Sequence, residues 1–313
     1  MFLQKSYIKG DMTMQFDHYR LHHVLRRSGS ATIYQAEHIH LNNEVAIKVL
    51  NSWLADDANI RKFGAEARLH ASLRHPHIIR VLDFGMRGRL PFIVMDYAVG
   101  GTLQDHILPG EVLSAHTILP FVLQIANALQ YIHDRNLVHR DIKPANILVG
   151  ERGEMLLSDF GIALAMQPWR QQHVQESIGT AIYAAPEQID GRPLTASDQY
   201  ALGVLVYSWL CGHPPFVGSS LQLCQQHLYD EPQPLREQVA IPAEVEGVVL
   251  KALAKDPYQR FAHVQDFAQA LKEAVLVGMG DVASQHASIA AGRPRETPLL
   301  YALAHGENET ITG

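Results

Sequence analysis

The sequence predicts an α+β fold in two lobes: an N-terminal antiparallel sheet with one helix, then a mainly helical C-terminal lobe. Residues from about Tyr19 to Tyr97 read chiefly as short β-rich runs. The pair Gly100-Gly101, inside Val99-Gly100-Gly101-Thr102, marks a hinge. Beyond it, apolar residues recur at helical spacing.

The elements follow in order. Ala31 to Ala36 and Glu44 to Leu50 are rich in β-formers, and Leu41-Asn42-Asn43-Glu44 supplies a hairpin connection. Asp56 to Leu73 reads as an amphipathic helix with Ile60, Phe63 and Ala67 on one face and His70 or Ala71 completing it. His75-Pro76-His77 ends that helix. Two strands follow, Ile78 to Phe84 and Leu90 to Tyr97, split by the turn Gly85 to Gly88. After the hinge, helices are expected at Leu103 to Ile107, Ala115 to His133, Ala196 to Cys211, Ser219 to Leu228, Ala243 to Ala254 and Val264 to Val275. Two lobes joined by a hinge make a cleft, where small ligands bind. Residues 1–18 read as an extension, 19–97 and 98–271 as the two lobes, and 272–313 as a flexible tail poor in large apolar residues.

Composition narrows the function. The chain has 313 residues, 47% of them hydrophobic and 19% charged, so a sizeable core is expected. A net charge of −6 gives no basic balance for nucleic acid or an anionic membrane. Cys211 and Cys224 lack metal-ligand spacing and fit a reducing compartment. The N-terminus does not read as a signal peptide. The longest apolar run, about Tyr200 to Cys211, is too short to span a bilayer. The 18 histidines are scattered and read as ordinary solvated or half-buried imidazoles. A soluble cytoplasmic protein is therefore expected.

The chemistry concentrates in His139-Arg140-Asp141-Ile142-Lys143-Pro144-Ala145-Asn146, with Asp159-Phe160-Gly161 thirteen residues past Asn146. Phosphoryl transfer needs such a set, because its transition state spreads negative charge and asks for position and positive charge. Asp141 can orient and deprotonate a hydroxyl, and Lys143 can neutralise the moving group. Asn146 and Asp159 offer hard oxygens suited to Mg²⁺.

With these motifs the chain resembles the protein kinase family from about Tyr19 to Leu271. Val45-Ala46-Ile47-Lys48 is similar to that family's third-strand lysine motif, and Glu66 stands where its helix glutamate is expected. Ala185-Pro186-Glu187 matches the close of the activation segment. Asp198 matches a buried aspartate, and Arg260 the late arginine that pairs with Glu187. The resemblance implies ATP with Mg²⁺, or Mn²⁺, as cofactors. Lys48 would bind phosphates and be held by Glu66. Adenine would lie against Ile33, Ala46 and Leu148, with hydrogen bonds from the backbone of Asp96 and Ala98, and Met95 would limit the pocket's depth. A spine of Val81, His70, Phe160 and His139 would be anchored by Asp198.

One departure stands out. The family's Gly-x-Gly-x-x-Gly follows a first-strand apolar residue, here Leu25. Its three glycine positions hold Arg26, Ser28 and Ala31, although Gly29 lies between them. A stiffer loop with weaker nucleotide binding and retained activity is expected. A pseudokinase or scaffold is the alternative, and a small-molecule kinase of similar fold is disfavoured by the Ala-Pro-Glu segment and Arg260.

Lys143 in Ile-Lys-Pro-Ala-Asn, and Thr180 in Gly179-Thr180, resemble the serine/threonine class, whose threonine hydrogen-bonds near Asp141 and Lys143. The wording from Gly179 to Gln188 and from Ser197 to Val204 is similar to bacterial eukaryotic-like serine/threonine kinases. The resemblance implies protein substrates with serine or threonine acceptors. Many members add a membrane span and an external sensor after the kinase; this chain ends first, which implies a soluble member. Arg140 would pair with an activation-segment phosphate. Ser177 is the sole candidate phosphosite of its type, and Glu176 beside it implies weak dependence on that modification. Neither the oligomeric state nor the identity of the protein substrate is written in these motifs.

Overall fold

The computed structural model describes residues 15–159 and 181–285, with the backbone alone for 278–285. The chain divides into two compact units. The first comprises residues up to Ala71 together with Arg80–Tyr97, and the second comprises Ser72–Ile79 and the residues from Ala98 onward.

The first unit is built on one antiparallel sheet of β1 (Gln15–Phe16), β2 (Tyr19–Arg27), β3 (Ala31–His38), β4 (Glu44–Leu50), β5 (Val81–Arg87) and β6 (Leu90–Asp96). Its spatial order is β1-β2-β3-β4-β6-β5. Alternation along β4 decides the two faces. Val45, Ile47 and Val49 are buried in a cluster with Phe16, Phe92 and Val94. Ala46 and Lys48 therefore point to the opposite face. Helix α1 (Asp57–Ser72) begins where the Asp56 carboxylate accepts the Asn59 N–H at 2.8 Å. It buries Phe63, Glu66, Ala67 and His70.

The second unit is mainly helical. Its elements are α2 (Leu103–His106), α3 (Ala115–His133), the hairpin β7 (Ile147–Val149) and β8 (Met155–Leu157), α4 (Pro186–Ile189), α5 (Thr195–Cys211), α6 (Ser220–Tyr229), α7 (Ala243–Ala252) and α8 (Val264–Gln285). Ser114 caps α3 by accepting the Thr117 N–H at 3.0 Å. Helix α5 is buried almost all round, which explains its continuous apolar run. It stops at Gly212, whose φ of 78° suits glycine. A Cβ there would lie 2.8 Å from the Gly110 carbonyl oxygen. Leu129 and Ile132 of α3, Tyr200 and Leu205 of α5, and Phe267 and Leu271 of α8 share one core.

Three expected boundaries move. Phe16 is 1% exposed, so the first unit's core reaches into the expected extension 1–18. Residues 72–79, expected in the N-terminal lobe, join the helical unit: the Ile79 N–H donates to the Leu157 carbonyl and the Leu157 N–H to His77. The strand expected from Ile78 therefore starts only at Val81. Helix α8 continues to Gln285, well past the expected boundary at Leu271, so the start of the expected flexible tail is helical instead. No described helix is long and apolar enough to cross a membrane.

Candidate active site

In the first unit, Lys48 Nζ lies 2.7 Å from Glu66 Oε1, with side chains 12% and 8% exposed. Strand register gives Lys48 its neighbours. It pairs with Ile33 on β3 and Ile93 on β6, and Ala46 pairs with Met95. Directly paired residues share a sheet face, so Ile33, Ala46, Lys48 and Met95 lie together on the face opposite the Phe16 cluster. Asp96 is half-buried and in ion-pair contact with Arg80, at 3.2 Å. Leu25, Arg26 and Ala31 flank the β2–β3 turn, whose tip Ser28-Gly29-Ser30 is exposed. Ala98 and Leu148 belong to the second unit, where Leu148 pairs with Leu156 in the β7–β8 hairpin.

The second unit gathers the 139–146 segment around Asp141. Its Oδ2 lies 2.8 Å from Lys143 Nζ and accepts the Asn146 Nδ2–H at 2.7 Å. Asn146 Nδ2 also donates to the Asp141 carbonyl at 2.8 Å. A 3₁₀ turn, Pro144–Asn146, brings the amide back toward Asp141, with proline at its first position. Asn146 is 1% exposed and directs its NH₂ to Asp141, so its side-chain oxygen is the atom of the amide suited to a cation. Ser158 fastens the next strand to the same residue: its N–H and Oγ–H donate to the Asn146 carbonyl at 2.9 and 3.0 Å. Asp159 follows directly, with φ at 55°. An amide oxygen and a carboxylate are the hard donors Mg²⁺ takes alongside substrate phosphates. No group of three His, Cys, Asp or Glu side chains among the described residues is arranged to hold a metal unaided.

A buried carboxylate organises this segment from behind. Asp198 Oδ2 accepts the His139 N–H at 2.8 Å and bonds His133 Nε2 at 2.8 Å, and Oδ1 accepts the Arg140 N–H at 2.8 Å. Burial alone would raise its pKa; the hydrogen bonds and charge interactions outweigh that and hold the carboxyl below its ordinary range. The His139 ring is fully buried, and burial pushes its pKa below the ordinary imidazole value. Its Nε2 lies 3.1 Å from the Ser158 carbonyl, and its Nδ1 accepts the Asp141 N–H at 3.4 Å. The neutral tautomer with hydrogen on Nε2 satisfies both bonds. Arg140 sits at φ 71°, and Gln188 Nε2 donates to its carbonyl at 2.7 Å. Arg140 Nε is buried without a hydrogen-bond partner among the described residues.

Glu187 and Arg260 meet in a two-pronged pair at 2.7 and 2.9 Å. Phe160, Glu176, Ser177, Gly179 and Thr180 lie outside the described residues, so the expected roles of Thr180 and Ser177 and the Phe160 member of the spine have no structural counterpart here. His70 is 3% exposed within the first unit. Sequence reasoning missed His133, Ser158 and the Gln188 side chain. Their partners are distant in sequence, and no short motif contains both ends.

The chain is similar to known proteins over this whole framework. The family profile described as protein kinase domain matches residues 19–275. Serine/threonine-protein kinase PrkC of Bacillus subtilis is 38% identical over 260 residues, covering 82% of this chain and 40% of the relative. A probable serine/threonine-protein kinase of Streptomyces coelicolor, SCO3848, is 39% identical over 286 residues, covering 88% and 42%. Serine/threonine-protein kinase PknB of Mycolicibacterium smegmatis is 37% identical over 255 residues, covering 78% and 41%. This chain thus spans about two fifths of the length of these relatives. The match over residues 19–275 and the agreement with these bacterial kinases establish that the chain belongs to the protein kinase family, in its bacterial eukaryotic-like serine/threonine branch.

Proposed function

We propose that this chain transfers the γ-phosphate of ATP to serine and threonine hydroxyls of protein substrates. The observation that carries the reading is the Asp141 carboxylate, held by Lys143 at 2.8 Å and Asn146 at 2.7 Å. In this reading Asp141 orients the acceptor hydroxyl and takes its proton. Lys143 then shifts its charge toward the phosphoryl group. Lys48, kept in place by Glu66, binds nucleotide phosphates. Asn146 and Asp159 would hold Mg²⁺ through their oxygens, and the ion supplies charge neutralisation on the phosphates. Ile33, Ala46, Met95 and Leu148 supply apolar surface for the base, and Thr180 assists Asp141. ATP as co-substrate assigns the activity to the cytoplasm. The chain's similarity to serine/threonine-protein kinases PrkC and PknB supports the acceptor class, and the full set Lys48, Glu66, Asp141, Asn146 and Asp159 supports turnover.

A second reading, a nucleotide-binding scaffold, is favoured by one observation: the β2–β3 turn lacks all three expected glycines. Purified chain incubated with labelled ATP, Mg²⁺ and a generic basic protein separates the two. Label is expected on serine and threonine, and Asp141→Asn is expected to lower the rate by about 10²–10⁴-fold. Wild-type protein that binds MgATP without transfer would leave the scaffold reading in place.

A further inference from the structure

The β2–β3 turn is closed by a residue that belongs to neither expected nucleotide motif. Asn51 follows β4 and is 7% exposed. Its Nδ2 donates to the carbonyls of Ser28 at 3.0 Å and Gly29 at 3.1 Å. Its backbone N–H donates to the Ser30 carbonyl at 2.9 Å. All three carbonyls of the turn's tip are therefore gathered by one residue. Thr32, also 7% exposed, donates its hydroxyl hydrogen to Asn51 Oδ1 at 3.0 Å. That bond fixes which end of the amide faces the turn. A flipped amide would set its oxygen against two carbonyl oxygens. Ser28 completes the closure. Its N–H and Oγ–H donate to the Ala31 carbonyl at 2.9 and 3.0 Å, and its Oγ accepts the Ala31 N–H at 3.1 Å.

A glycine-rich turn reaches its ligand through backbone freedom, at an entropic cost when the ligand orders it. Here bulkier residues narrow that freedom, and hydrogen bonds from the buried Asn51 side chain hold the turn in one shape before any ligand arrives. We propose that Asn51 is a positioning residue for the nucleotide: its amide clasps the Ser28-Gly29-Ser30 tip and supplies by hydrogen bonding the loop geometry that three glycines would otherwise reach by flexing. The proposal rests on the kinase reading above. It explains how a chain without those glycines retains the rest of the phosphate-transfer set.

Asn51→Asp tests it with little change of shape. The substitution puts an acceptor oxygen opposite the Ser28 and Gly29 carbonyls, where the NH₂ donor stood. Asn51→Ala removes the donor without burying a charge and serves if the aspartate variant fails to fold. In both, backbone amide exchange at residues 28–31 without nucleotide should quicken by about tenfold, while amides of β4 and β6 keep their protection. KM for MgATP should rise by about fivefold or more, the weight of one net hydrogen bond, with kcat within about threefold of wild type. A residue that merely braces the sheet would lower Tm and leave KM for MgATP unchanged. Folded variants with wild-type exchange at 28–31 and wild-type KM would overturn the proposal. The exchange measurement needs no turnover, so failure of the clasp and failure of the kinase reading give different results.

Discussion

Glu187→Ala should unfold the second unit more readily than any other single truncation near the site, and its magnitude follows from the count of donors. The Arg260 side chain is fully buried, and all five of its N–H groups are engaged. Two reach Glu187, at 2.7 and 2.9 Å, and the others reach the carbonyls of Ala254, Ala196 and Lys255. The guanidinium also lies 4.8 Å over the Tyr200 ring, and Ser197 Oγ donates to Glu187 Oε1 at 2.7 Å. Alanine at 187 leaves two guanidinium donors and one hydroxyl without an acceptor, and one buried charge without its counter-charge. Breaking such a pair costs about 3–5 kcal/mol. In a domain of this size each kcal/mol moves Tm by about 2–4 °C, so a fall of roughly 6–20 °C is expected. Urea unfolding with hydrogen exchange at the α5 amides reads the loss in the correct unit. The double variant Glu187→Ala with Arg260→Met removes both charges and should recover part of the loss. A single variant within about 1 kcal/mol of wild type, or a double variant with simply additive losses, would refute the reasoning.

Further outcomes follow from the same unit. Asp198→Asn turns one acceptor oxygen into a donor facing the backbone N–H of either His139 or Arg140; stability should fall by about 1–3 kcal/mol, with kcat reduced more than MgATP affinity, as unfolding curves and steady-state kinetics would reveal. Acid should destabilise the fold from about pH 6.5 downward: burial drives the His227 pKa down to about 3, so the unfolded chain takes up a proton that the folded chain refuses, at up to about 1.4 kcal/mol per pH unit. Lys255, lowered chiefly by burial to about 8, works in the alkaline range: the folded ammonium is disfavoured below pH 8, so stability should rise between about pH 8 and 10.5. Urea midpoints measured from pH 4 to 10 check both signs, and a flat profile between pH 4 and 6.5 would contradict the buried neutral imidazole.

Strong local periodicity made part of this fold legible. Helical spacing predicts Ala115–His133 and a run of β-formers predicts Glu44–Leu50, both at the observed boundaries. The β7–β8 hairpin was not foreseen, because each of its strands has three residues and alternation over three positions carries no signal. Residues 72–79 were assigned to the wrong unit for a related reason. Their allegiance is set by hydrogen bonds to Leu157, far along the chain, and not by their own composition. At the site, the residues proposed to carry the chemistry sit in short motifs. Those that brace them did not announce themselves: Gln188 reaches Arg140 across 48 positions, and Asn51 reaches Ser28 across 23.

The bracing residues explain where backbone strain is tolerated. Arg140 and Asp159 adopt φ of 71° and 55°, a left-handed region that costs a side-chain-bearing residue roughly 1–3 kcal/mol. Both flank groups of the candidate site, and both are held by structure outside it. Arg140 is gripped at its N–H by Asp198 and at its carbonyl by Gln188. The segment before Asp159 is gripped through Ser158, whose carbonyl is bonded by the His139 ring and whose N–H and hydroxyl are bonded to Asn146. The His139 backbone N–H is itself bonded to Asp198. One buried carboxylate therefore grips the Arg140 turn directly and reaches the segment before Asp159 through His139. Asn42 and Asn136 also adopt positive φ, at 53° and 57°, so such a conformation is not confined to the candidate site; what distinguishes Arg140 and Asp159 is that buried groups of the helical unit grip the backbone at or beside them.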